Sequence, residues 1–215
     1  IGIMGGLWIC SFFPTKWKLS PDGSGKTIFE YGCVFPVVKI AGYGGTETEL
    51  NTLFSALEED FCLGAESGYS KQNMEEMATD ALVVYGDSFR PFSMQRDIHV
   101  LYINDGVVSF SVSDELYQGP ESSFSDIFFR VYDIGEKKLL RFEDLGDSLL
   151  EEVAAWYYVS DDVMKTISAE NDWYLNEEGI VITGFDSVQT LPYSEIEGAI
   201  KDKYLPRLSE GDPSQ

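Results

Sequence analysis

Histidine is almost missing from this sequence: one residue, His99, among 215. A single imidazole removes His-rich metal centres and weakens any Ser-His-Asp reading. His99 also sits in Asp97-Ile98-His99-Val100-Leu101-Tyr102-Ile103, a strand-like run, where it reads as a half-exposed surface residue. Cysteine is scarce too. Cys10, Cys33 and Cys62 stand 23 and 29 residues apart, with no Cys-x-x-Cys pair, so neither a zinc ribbon nor a thioredoxin-type site is supported. One disulfide with a free thiol, or three buried thiols, both fit. Basic residues are outnumbered, 15 against 37 acidic ones, for a net charge of −22. No Lys/Arg cluster is present to meet phosphate, which argues against nucleic acid and against an anionic membrane surface. A cationic partner is compatible with −22, and so is acidity that only keeps the chain soluble. No stretch of about 20 apolar residues exists, so no spanning helix is expected. Repeats and low-complexity linkers are lacking as well.

What is present is a globular balance: 44% apolar and 24% charged residues. A chain of this length buries roughly 70% of its unfolded surface without staples. It opens at Ile1 rather than at a starting Met, as expected for a piece of a longer gene product whose targeting segment is not visible. Ile1 to Phe13 reads as a strand carrying Leu7, Trp8, Ile9, Phe12 and Phe13. Lys26 to Val38 is extended by its β-branched and aromatic residues, with Pro36 at an edge or bulge. Thr46 is placed to cap a helix, with Glu49 at the capping-box distance and Leu50, Leu53, Phe54, Leu57 and Phe61 on one face before Gly64. A weaker helix runs from Ser70 to Leu82 through Met74, Met77, Ala78 and Ala81.

The middle of the chain is clearest. Strands Ile98–Ile103 and Val107–Val112 flank Asn104-Asp105-Gly106, a tight hairpin turn by composition. Val108, Phe110 and Val112 alternate with Ser109, Ser111 and Ser113, which predicts one buried and one polar face. A further strand, Ser125 to Ile134, turns through Gly135-Glu136-Lys137-Lys138 into Leu139-Leu140-Arg141-Phe142. A long helix is expected from about Asp147 to Ile167, with a break at Ser160-Asp161-Asp162. Trp173-Tyr174-Leu175 and Gly179 to Thr183 form a hairpin around Asn176-Glu177-Glu178, and a last helix starts near Tyr193 and stops before Pro206. This order predicts an α+β fold, a mainly antiparallel sheet packed by two or three helices. The expected divisions are 1–90, 91–208 and a frayed tail, 209–215.

Candidate chemistry is sparse. Gly23-Ser24-Gly25-Lys26-Thr27 ends like a phosphate loop. Ser20, however, stands where the first glycine is required, and a strand-like run follows in place of a helix, so a hairpin turn is the reading. Acidic pairs occur at Glu58-Glu59-Asp60, Glu75-Glu76, Asp114-Glu115, Glu151-Glu152, Asp161-Asp162 and Glu177-Glu178. None has calcium-loop spacing and none stands apart, so no catalytic residue, metal ligand or cofactor is assigned. Tyr117-Gln118-Gly119-Pro120-Glu121 differs: a loop between two strands that sets an aromatic and a carboxylate at the sheet edge, the candidate ligand-binding segment.

Several segments in order resemble one family. They are Tyr31 to Leu57 with Phe35-Pro36-Val37-Val38; Asn104 to Ser109; Tyr117 with Gly119; Tyr132 to Leu145; Trp173 to Ile182; and Leu191 to Ile196. Their order over residues 25–205 resembles the extracytoplasmic domain of lysozyme-sensing anti-sigma factors and of some peptidoglycan deacetylases, with its usual upstream companion domain. Pro120 and Glu121 depart from that family's Gly-Gly-Ala-His continuation, and only five residues separate Phe185 from Leu191 where the family has a longer loop. The resemblance implies a non-catalytic, extracytoplasmic binding or sensing domain of a bacterial envelope protein, with a cationic protein or cell-wall glycan as partner. The alternative it leaves open is an accessory or catalytic part of a glycan-modifying enzyme.

Overall fold

The computed structural model describes residues 7–20, 25–40, 44–59, 71–104, 106–119, 122–157, 160, 163–166, 172–183 and 188–206. Strands β1 (Leu7–Leu19), β2 (Phe29–Ile40), β3 (Phe92–Ile103), β4 (Val107–Tyr117), β5 (Ser123–Asp133) and β6 (Lys138–Leu139) form a six-stranded sheet in that order. Helices α1 (Gly44–Glu59) and α2 (Lys71–Tyr85) lie between β2 and β3 in the chain, and α3 (Leu149–Tyr157) follows β6. Strands β7 (Trp173–Leu175), β8 (Gly179–Ile182) and β9 (Gln189–Pro192) make a second, antiparallel sheet. The fold is α+β and mainly antiparallel, as the element order predicts. The parallel step is β2 beside β3, from Phe29 opposite Phe92 to Val34 opposite Asp97. Parallel neighbours need a long crossover, and α1 with α2 supplies it. The chain divides into two compact units, residues 1–99 with 112–127 and residues 100–111 with 128–215.

In the first unit β1 and β2 pair along their whole lengths, with a register shift between Ile9 and Ser11. Beyond Val34, β2 has no β3 partner, and the Asn51 side chain of α1 takes its place. The Val38 N–H donates to Asn51 Oδ1 (2.9 Å) and Asn51 Nδ2 donates to the Val38 carbonyl (3.0 Å). Pro36 falls in this stretch, where its missing N–H deprives β3 of nothing. Phe92, Met94, Arg96 and Ile98 are buried while Ser93, Gln95 and Asp97 are half-buried, the period of a sheet covered on one face. Leu50, Phe54 and Leu57 of α1 and Met74 and Ala78 of α2 are buried in turn. Helix α1 begins at Gly44, so Thr46 lies inside the first turn and is not the cap; Leu53 is half-buried, and Phe61 and Gly64 lie outside the described residues. Helix α2 runs on to Tyr85, and Met77 is exposed. Cys33 keeps a buried thiol outside any disulfide. Nothing is described of the Cys10 side chain, and Cys62 lies outside the described residues.

In the second unit the Asn104 turn forms as expected, with Asp105 outside the described residues. Asn104 Oδ1 accepts from the N–H groups of Gly106 and Val107, both at 2.8 Å. Ser109 and Ser111 depart from expectation: both are buried, and the Leu175 N–H donates to Ser109 Oγ (3.2 Å). The pattern of β4 is therefore buried on both faces here, because β7 reaches the serine side. The long helix is shorter than expected. It covers Leu149–Tyr157, and the backbone is helical again at 163–166, on either side of the expected break; Ile167 lies outside the described residues. The last helix is corrected to one turn, Tyr193–Ile196, and a 3-10 turn, Asp202–Tyr204. The Lys201 N–H donates to the Leu145 carbonyl (2.8 Å), which draws the chain off the helical path. Strand β9 was not expected. The tail 209–215 lies outside the described residues.

Candidate functional site

A cleft of about 460 Å³ opens in the first unit, and no residue of α1 or α2 lines it. Its walls come from five neighbouring strands: Lys18 of β1, Glu30 to Gly32 of β2, Ser93 to Gln95 of β3, Glu115 to Tyr117 of β4, and Ser123 to Ser125 of β5. Side chains alternate across a strand, so the covered face takes one set and the cleft takes the other. Asp114 and Glu115 divide in this way. Asp114 binds Arg96 beneath the sheet, while Glu115 is exposed in the cleft.

The floor depends on Gly32. A Cβ there would fall against Gln95 Oε1, so a larger residue would push that flexible amide aside. That amide is held from its other end, where Nε2 donates to Asp97 Oδ1 (3.0 Å). Lys18 and Glu30 form an exposed ion pair at 2.6 Å. Among the described residues no cation pairs with Glu115. The remaining lining includes Ser93, Tyr117, Ser123 and Ser125, with Phe124 between the last two and so of the opposite strand parity.

Beneath the sheet Arg96 is fully buried. Its Nε and a terminal nitrogen donate to the two Asp114 oxygens (2.7 and 2.6 Å), and the other terminal nitrogen donates to the Leu57 carbonyl of α1 (3.0 Å). Burial lowers the guanidinium pKa, but the hydrogen bonds and charge of Asp114 outweigh it and hold it above its ordinary value. Tyr31, beside this pair, is pushed far up by burial and by Cys33. The group fixes the strands that carry the cleft.

A second charged group stands in the other unit. Asp133, buried, accepts from Lys203 Nζ (2.9 Å), the Tyr204 hydroxyl (3.0 Å) and the Glu136 N–H (2.8 Å), and Lys203 also pairs with Glu136. Burial raises the Asp133 pKa, yet these donors together hold it below its ordinary value. Every partner is internal, so the group pins the C-terminal segment to the β5–β6 turn. Among the described residues no cluster of three or more His, Cys, Asp or Glu is placed to hold a metal ion.

The candidate loop divides. Tyr117 ends β4, half-buried, in the cleft wall. Gln118 turns instead to α2, its Nε2 3.7 Å from Met74 Sδ and 3.9 Å from Met77 Sδ. Its N–H donates to the Ser122 carbonyl (2.8 Å), closing the loop. Gly119 takes φ +125°, a conformation that side chains strain to adopt. Pro120 and Glu121 lie outside the described residues. The sequence reading missed Glu30, Gly32 and Gln95. Of the glycine-lysine segment, residues 21–24 are outside the described residues, and Lys26 and Thr27 lead into β2, so no helix N-terminus follows to hold a phosphate.

No protein-family model and no curated protein matches the sequence. Solved structures do match. A DUF3298 family protein from Pseudomonas aeruginosa is 14% identical, with a TM-score of 0.55 over 95% of this chain and 98% of that one. A DUF3298 member from Bacteroides fragilis is also 14% identical, with a TM-score of 0.51 over 91% of this chain and 96% of that one. At such identity the likeness is one of fold: this chain is built like DUF3298 proteins over nearly its whole length and theirs.

Proposed function

We propose that this chain is a non-catalytic, extracytoplasmic binding or sensing domain of a bacterial cell-envelope protein, and that the cleft beside Tyr117 is its binding face. The observation that carries this is the cleft itself. An aromatic residue at a strand end, three serines and a held amide line an open recess to which no described residue of α1 or α2 contributes. Rigid strands that present convergent polar groups suit recognition. Among the described residues the lining contains no histidine, and one of its two carboxylates is held by Lys18. The envelope setting and the partner class, a cationic protein or cell-wall glycan, rest on the ordered sequence resemblance. The shared fold with DUF3298 proteins is compatible with it.

The whole chain should sediment with isolated bacterial cell-wall material or its bound proteins, and Tyr117→Ala should weaken that sedimentation with the fold intact. Equal sedimentation of both proteins would move the binding face elsewhere. The enzymatic alternative requires turnover. Incubation with purified peptidoglycan should release neither glycan fragments nor acetate, whereas product release lost in Glu115→Gln would make the cleft an active site.

A further inference from the structure

We infer that the cleft takes an uncharged sugar ring of a glycan, stacked on Tyr117 and hydrogen-bonded by Gln95 and the surrounding serines. This rests on the cleft being the binding face. It commits to one of the two partner classes for reasons internal to the site.

Charge comes first. An anionic ligand needs an available cation, but among the described residues the lysine of the lining, Lys18, is 2.6 Å from Glu30, and Glu115 would repel the ligand. A cationic ligand needs more than one carboxylate to replace its water, and Glu30 is already neutralised by Lys18, leaving Glu115. Among the described residues the balance of the lining is then one negative charge on a chain of −22. Polarity comes second. Small-molecule pockets are mostly apolar with a few polar groups, whereas here Ser93, Gln95, Ser123 and Ser125 line a recess beside the half-buried ring of Tyr117. Sugar rings have that complementary form, hydroxyls around the rim and C–H groups on the face. The electron-rich face of a tyrosine attracts such C–H groups. Third is the Gly32–Gln95 floor. A side-chain amide has two donors and a carbonyl acceptor. With Nε2 held by Asp97 and by the Arg96 carbonyl (3.4 Å), the Gln95 amide is fixed and its carbonyl, beside Gly32, is the group that can accept from a sugar hydroxyl.

The test is calorimetric titration of the whole chain with four probes: chitotetraose and cellotetraose, both neutral, tetragalacturonate, which is anionic, and tetralysine, which is cationic. A neutral tetrasaccharide should bind with the same affinity in about 50 and 500 mM salt. Tyr117→Ala should weaken it about tenfold, the loss of one stacked ring. Gln95→Ala should weaken it by about fivefold, the loss of the hydrogen bond to its carbonyl. Thermal unfolding midpoints of the variants report whether the fold survives. Gly32→Ala is a second probe of the floor, expected to follow Gln95→Ala in affinity. Tetralysine binding that falls with salt and with Glu115→Gln would overturn the inference in favour of a cationic partner. Binding of no probe, or sugar binding indifferent to Tyr117 and Gln95, would also overturn it. In each of those cases Tyr117-dependent sedimentation with cell-wall material would still uphold the cleft as a binding face, so the two readings fail separately.

Discussion

A buried arginine costs several kcal/mol of desolvation, and Arg96 offsets it with a two-point bond to Asp114 and a third bond to Leu57. Leu57 lies in the last turn of α1, whose carbonyls have no partner within the helix. One side chain thus satisfies a helix end and ties β3 to β4 directly under the cleft. Arg96→Ala should destabilise the protein by about 3–5 kcal/mol, because the Asp114 carboxylate and the Leu57 carbonyl lose their donors together. Arg96→Lys should recover only part of this, since an ammonium cannot match both carboxylate oxygens in plane. Replacing both members with apolar residues, Arg96→Met with Asp114→Leu, should cost less than Arg96→Ala alone. Urea denaturation of the three proteins gives the order. A double variant less stable than Arg96→Ala would mean that the pair stabilises the sheet beyond relieving its own burial.

Strands and turns differ in how far local chemistry decides them, and the Asp133 pin shows the other extreme. Both central hairpins follow from an asparagine: Asn104 Oδ1 and Asn176 Oδ1 each accept two backbone N–H groups of their own turn. Such turns are legible because all the partners lie within three residues. The last helix is shorter than its pattern predicts because the Lys201 N–H goes to the Leu145 carbonyl and Lys203 reaches 70 residues back to Asp133, contacts that no local pattern encodes. Strand β9 exists because Gly179 to Ile182 pairs with Gln189 to Pro192 across a segment that carries no strand signal of its own. In the candidate site the same divide holds. Tyr117 was legible as an aromatic beside a glycine loop, but Gly32 and Gln95 meet only through parallel register, about which neither segment says anything alone. The pin makes a pH prediction. The Asp133 pKa is lowered in the fold, so its stabilisation is present above the ordinary carboxylate value and is lost as pH falls through the lowered one. The Lys203 pKa is raised, chiefly by Glu136, so its part is present below the ordinary lysine value and is lost only as pH rises through the raised one. At neutral pH both hold. Asp133→Asn should therefore cost about 2 kcal/mol at pH 7, and the gap to wild type should narrow as pH falls below about 4 and close below the lowered native value. Unfolding midpoints of the two proteins across that range check it; a gap that persisted in acid would mean that the asparagine fails sterically rather than by charge.

The net charge of −22 acts at a distance that the cleft does not. A field of this sign draws basic proteins in from about one Debye length, near 8 Å in physiological salt, and does so whatever the cleft holds. Tyr117 is neutral, and Glu115 is one of 37 acidic residues, so substituting either barely changes the field. Two kinds of association should therefore separate. Encounter with a basic protein such as lysozyme should slow steeply as salt rises, by about tenfold or more between 20 and 200 mM, and to the same degree in wild type and Tyr117→Ala. Occupancy of the cleft by a neutral glycan should ignore salt and depend on Tyr117. Stopped-flow association with lysozyme at the two salt concentrations, for both proteins, measures the first, and titration measures the second. If Tyr117→Ala instead abolished lysozyme association at every salt concentration, the basic partner would occupy the cleft itself. The acidity and the aromatic wall would then serve one ligand, and the sugar reading would give way to it.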